Sequence, residues 1–146
     1  MRTESVSFEL ASQERFERLA ALVRALAQAK SEDDFRDDAY WEAFLDERTR
    51  AAFWWPTPAE TEDWRRRWFA TPIERRWTAP DLQTPWTFGS LIYAVENGEF
   101  GQLACRRTSG GGVIELEPYA WPFGGTAWIC AAIEAFGGRV VDDPAV

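Results

Sequence analysis

Four short stretches place chemistry-bearing residues close together. The first is Gly124-Gly125-Thr126, within "WPFGGTAWICAAIEAFGG" over residues 121–138, where a glycine pair opens a helical pattern. A helix N-terminus offers free amides and a positive dipole end, so such a turn can hold a phosphate. Nucleotide fingerprints require more: a strand leading into GxGxxG, or GxxxxGK with its lysine. Here Tyr119-Ala120-Trp121-Pro122-Phe123 precedes the glycines and no lysine follows. The helix "TAWICAAIEAF" carries one charge, Glu134, and a helix apolar on nearly all sides belongs in a core. The glycines therefore read as a tight turn into a buried helix, with an anion site as the alternative.

Glu115 and Glu117 alternate with Ile114 and Leu116, which puts both carboxylates on one strand face. Such a pair can act as acid and base in glycoside hydrolysis. Arg106 and Arg107 across the expected turn are ordinary ion-pair partners, so a polar sheet face is the simpler reading. Asp33, Asp34, Asp37 and Asp38 could share a hard cation. Metal sites usually draw ligands from several elements, however, and Arg36 sits among these carboxylates. A solvated helix start is expected instead, and no metal or other cofactor. The basic island "WRRRWFATPIERRW", residues 64–77, has five Arg and one Glu. Arg between aromatics can stack bases, yet on a helix Trp64 and Trp68 share a face while Asp63 and Arg67 pair.

Composition narrows the chemistry further. The 146 residues contain no His, which removes Ser-His and Cys-His nucleophiles and His-containing zinc sites. Cys105 and Cys130, without a CxxC motif, read as two buried thiols. The net charge is −8, which disfavours nucleic acid and anionic lipid as partners and suits a basic protein. No apolar run is long enough to span a bilayer. The opening "MRTESVSFEL" lacks a charged-then-apolar signal, so the expected compartment is the cytoplasm. One Lys against fifteen Arg hints at a GC-rich bacterial genome.

The elements that must position these residues follow from periodicity. "SVSFEL" alternates as a strand, and Ser12 caps a helix to about Ala29 with Phe16, Leu19, Val23 and Leu26 as its stripe. Ser31 and Asp34 start a second helical pattern through "EDDFRDDAYWEAFLDERTRAAFWW". Thr57-Pro58-Ala59-Glu60 is a capping box for a helix ending before Pro72. Residues 71–87 hold three prolines and form an irregular connection that Trp77 and Trp86 pin to the core. A helix over 88–96 ends at a left-handed Asn97-Gly98 cap. A hairpin turns at Ser109-Gly110-Gly111-Gly112, and the glycine-started helix leads to the last strand, "RVVDD".

The expected fold is α+β. It is a single domain over 1–146, with a small antiparallel or mixed sheet of about four strands and helices on one face. The order approximates βαββαβ, the ferredoxin-like plan, with a helical insertion at about 31–80. Nine Trp in a small acidic chain lead first to a non-enzymatic protein-binding module, of immunity, inhibitor or adaptor type, as a monomer or homodimer. The alternative is a small-molecule binder or His-independent enzyme. Its aromatic pocket would use Trp86, Tyr93, Tyr119 and Trp121, with Arg106 or Glu115 as polar groups and Gly124, Gly125 and Thr126 at its edge. A self-associating domain that buries its exposed Trp is a third reading.

Overall fold

The structure is a computed structural model describing residues 2–143; Met1 and residues 144–146 of the expected domain lie outside the described residues. Strand β1 spans Glu4–Glu9 and turns Val6 and Phe8 into the core, with Ser5 and Ser7 on the other face. Ser12 Oγ accepts from the Arg15 amide at 3.2 Å and starts helix α1, Gln13–Glu32. Its buried stripe of Phe16, Leu19, Leu22, Val23, Leu26 and Ala29 has the spacing that the sequence predicts. The helix runs a turn past Ala29 and closes on Asp33 in the left-handed region, φ 52°.

The continuous helical pattern expected from Ser31 onward is instead two short helices, α2 (Asp38–Glu42) and α3 (Glu47–Ala51). Each begins at its own Asp. Asp37 Oδ1 accepts from the Tyr40 amide at 3.0 Å, and Asp46 Oδ1 from the Thr49 amide at 2.8 Å. These side chains satisfy amides that a continuing helix would have bonded internally, so the chain breaks twice. The break buries Trp41, whose Nε1 donates to Arg36 O at 3.1 Å.

Helix α4, Pro58–Ala70, carries the expected capping box between Thr57 and Glu60 and buries no residue. Its aromatic face packs locally: Trp64 stacks on Trp68 at 5.2 Å, and Trp77 meets Trp68 edge-on at 4.9 Å. Two 3-10 turns, Ile73–Arg75 and Pro80–Leu82, bring the chain back. Trp77 is therefore held by α4 and not by the core, contrary to expectation.

Helix α5, Phe88–Asn97, is capped by Thr87. The left-handed cap expected at its end is absent, since Gly98 is extended with φ −71°. Lys30 Nζ, lying over the Phe100 ring, donates to Gly98 O at 2.7 Å, so a side chain from α1 holds the extended chain just past the helix.

Strands β2 (Phe100–Thr108) and β3 (Gly111–Pro118) form the hairpin, with Gly110 at φ 80° in its turn. Helix α6 spans Ala127–Ala135 and strand β4 spans Arg139–Asp142. All pairings are antiparallel, in the order β2-β3-β1-β4. That order and those directions are the ferredoxin-like split βαβ arrangement, with α2 to α5 inserted between α1 and β2. One sheet face, with Val6, Ile114 and Leu116, packs on α1, α5 and α6. A Cβ at Gly112 would meet the Phe8 and Phe16 rings at 2.7 Å, so glycine there makes room for their stacking. Ser5, Ser7, Glu115 and Glu117 occupy the opposite, partly exposed face. Among the described residues no helix is long and apolar enough to cross a membrane.

Candidate functional site

The insertion presents an arm. Its two ends meet where the Trp54 amide donates to Trp86 O at 2.9 Å, in a single parallel bridge with Thr87. Between them α4 and the returning segment bury Leu82 and brace each other: Trp64 Nε1 donates to Leu82 O at 3.0 Å and Arg67 Nη1 to Asp81 O at 2.8 Å. The far end leaves Phe69, Ile73 and Trp77 at 67%, 70% and 76% exposed. Apolar side chains of this size, gathered on one projecting feature, are unusual for a surface that stays in water.

At the root of the arm lies a cleft of about 720 Å³. Phe53, Pro85 and Trp86 form one wall; Gly125, Thr126, Ala127, Cys130, Ala131 and Glu134 of the α6 side form the other, with Asp143 beyond β4. Gly124 and Gly125, at φ 104° and 76°, turn the chain into α6. Thr126 is buried, and its Oγ1 donates to the Asp143 carboxylate at 2.8 Å instead of capping α6. Cys130 Sγ donates to Asp143 Oδ2 at 3.3 Å. A carboxylate of the chain itself thus sits against the first turn of α6, where a bound anion would otherwise be favoured. Burial, the hydrogen bond to Asp143, and the charges of Asp143 and Glu134 push the Cys130 thiol up to about 12. Such a thiol stays protonated at neutral pH and is a poor nucleophile.

Of the residues singled out in the sequence, Trp86, Gly125 and Thr126 line this cleft. Gly124 lies beside it against Gly98. Tyr93 projects from α5 into solvent. Trp121 is exposed, with the Arg2 guanidinium over its ring at 5.3 Å. Tyr119 lines a separate polar cleft of about 590 Å³ with Lys30, Glu96 and Glu99. There burial lowers the Lys30 ammonium, against the opposing charges of Glu99, Asp33 and Glu96. Arg106 Nε donates to Glu115 Oε1 at 2.6 Å on the open sheet face, which holds the Glu115 carboxyl below its usual range.

The aromatic and polar groups expected in one pocket therefore occupy five places. Phe53, Cys130, Glu134 and Asp143 are cleft residues that sequence reasoning did not assign. Only the i, i+4 spacing of Cys130 and Glu134 on the helix after Thr126 could have signalled them. Among the described residues, no three Cys, Asp or Glu side chains group as a metal site would require. No protein-family model, no curated protein and no solved structure matches this chain.

Proposed function

We propose that the chain is a non-enzymatic protein-binding module, of immunity, inhibitor or adaptor type, acting in the cytoplasm on a basic protein partner. The observation that carries this reading is the arm: α4 buries nothing, and its last turn with the segment after it holds Phe69, Ile73 and Trp77 in solvent. Aromatic and large aliphatic side chains in such positions are the usual anchors of interfaces. A basic partner is favoured by where the charge lies. The arm, residues 56–85, has five Arg and five carboxylates, so the net −8 belongs wholly to the rest of the chain. The arm's guanidiniums are also largely engaged within it. Arg67 pairs with Asp63 at 3.1 Å, and Arg76 donates to Thr71 O at 2.9 Å while lying over Trp68 and Phe69.

The test is capture of partners by the tagged chain from host extract, followed by reconstitution of each captured protein with the purified chain in a calorimeter. The expected result is a saturable complex with a basic protein, weakened by salt and lost in the triple variant F69S/I73S/W77S. Binding that survives that triple substitution, or a partner that is acidic, would overturn the reading.

A further inference from the structure

We infer that the cleft at the arm root receives one arginine or lysine side chain of the basic protein partner. The inference rests on the protein-binding reading above and names where on this chain the partner's charge is taken. The cleft, at about 720 Å³, lies within the range of sites that enclose small organic groups. Two carboxylates, Glu134 and Asp143, line it, and among the described residues no basic side chain does. Both act on the Cys130 thiol, which stays protonated partly through their negative charge.

Three cations of this region, Arg15, Arg139 and Arg48, are directed elsewhere. Arg15 is spent on Phe136 O, Asp46 and Thr49. Arg139 pairs with Glu9 at 2.7 Å, and Arg48 lies beside Gly137, past the end of α6 and outside the lining. Trp86, still 36% exposed, offers an indole face. A guanidinium or ammonium can lie over such a ring while its aliphatic stem packs on apolar wall. Ala127 and Ala131 keep the opposite wall low, which leaves room for that stem. An anionic group is the wrong occupant, since Asp143 already takes the start of α6.

The experiment follows backbone and indole NMR signals of the full chain during titration with the capped peptide Gly-Arg-Gly. The neutral citrulline peptide and spermidine serve as comparisons. The arginine peptide should shift the Trp86 indole and the amides of Gly125, Ala127 and Ala131, and citrulline should bind about tenfold more weakly or worse. Glu134 is exposed, so E134Q should fold normally and weaken binding by about tenfold, as should W86A; R106A, on the open sheet face, should change nothing. Absence of shifts in the cleft, or equal binding of citrulline, would overturn the inference. So would spermidine binding about tenfold more tightly than the peptide, because the occupant would then be a free polyamine. If E134Q and W86A leave capture of the protein partner intact, the cleft inference fails while the binding-module reading stands. If the peptide titrates as expected but no protein partner binds through the arm, the reverse holds.

Discussion

Arg15 Nη1 lies 3.1 Å from Asp46 Oδ2, and this contact locks the insertion to the βαββαβ frame. The same guanidinium donates from Nη2 to Thr49 Oγ1 at 2.6 Å and from Nε to Phe136 O at 2.7 Å. One nearly buried side chain on α1 therefore joins the start of α3, which leads into the cleft residue Phe53, to the end of α6, which lines the other wall. Arg suits this place because its planar fork donates in several fixed directions at once.

Replacing Arg15 with Met keeps the stem but strands the Phe136 carbonyl and the Thr49 hydroxyl without a donor. The expected cost is about 3 kcal/mol in urea unfolding, far above that of an exposed ion pair. Arg15→Lys should recover only part, since one ammonium cannot reach all of these acceptors. If Arg15→Met unfolds at the same urea concentration as the parent, the hub has no structural weight.

Asp46 gives this junction a pH dependence. Hydrogen bonds from the Thr49 amide and hydroxyl, helped by the charges of Arg15 and Arg18 and opposed by burial, lower its carboxyl to about 2. In the unfolded chain the same group titrates near ~3.9. A carboxyl depressed on folding contributes its full stability above the unfolded value, and that contribution is lost as pH falls toward the folded one. Stability measured by urea midpoint should therefore fall between about pH 4 and pH 2. D46N should be less stable than the parent at pH 7, by about 1 kcal/mol from the weakened cap alone. The two proteins should converge as the pH approaches 2. The Glu115 carboxyl, lowered by its hydrogen bond to Arg106, adds a slope of the same sign that D46N retains. A constant gap between parent and D46N across this range would contradict the assignment.

The frame was legible because its signals are local and agree with one another. Val6 and Phe8 alternate, Ser12 and Thr57 cap, and Gly110 turns a hairpin between two β-rich runs; each acts within a few residues. What escaped reading depends on distant partners or on local groups that compete for the same amides. The stretch after Ser31 has continuous helical periodicity, but Asp37 and Asp46 compete for backbone amides and break it. Asn97-Gly98 has the composition of a left-handed cap, yet Gly98 is extended and its carbonyl is bound by Lys30, 68 positions away in sequence. Trp77 looked like a core residue because Trp usually is; on this arm its partner is Trp68. The cleft was half legible. Trp86 and Thr126 stood out by type, whereas Phe53 and Asp143 join them only through tertiary packing.

The arm should open more readily than the body. A helix with no buried residue, whose arm meets the frame at the Trp54–Thr87 bridge and a Trp54–Trp64 ring contact, has little apolar burial to resist local unfolding. Brief digestion of the native chain with trypsin should cut first among Arg65, Arg66 and Arg67 and at Arg75 and Arg76, ahead of the arginines of α1 and the sheet. Amide exchange in α4 should be faster than in α1 by orders of magnitude. Trp68→Ala should accelerate both while changing the global urea midpoint little, because the ring partners of Trp68, namely Trp64, Trp77 and Arg76, all belong to the arm. Cleavage beginning in α1, or an arm as protected as α1, would show that the arm belongs to the cooperative core.

Both cysteines should be silent in the native state, and to different degrees. Burial raises the Cys105 thiol to about 11; for Cys130, burial together with its hydrogen bond to Asp143 gives about 12. A disulfide reagent at pH 8 attacks thiolate only. Native Cys105 should then react roughly a hundredfold more slowly, and Cys130 roughly a thousandfold more slowly, than an exposed thiol of ordinary pKa, before any steric shielding. In denaturing urea both should react at once. D143N removes the charge that favours the protonated thiol, so it should speed the native reaction at Cys130 and leave Cys105 unchanged. A fast reaction at Cys130 in the parent protein would mean that Asp143 does not hold the thiol, and the negative lining of the cleft would be weaker than its geometry implies.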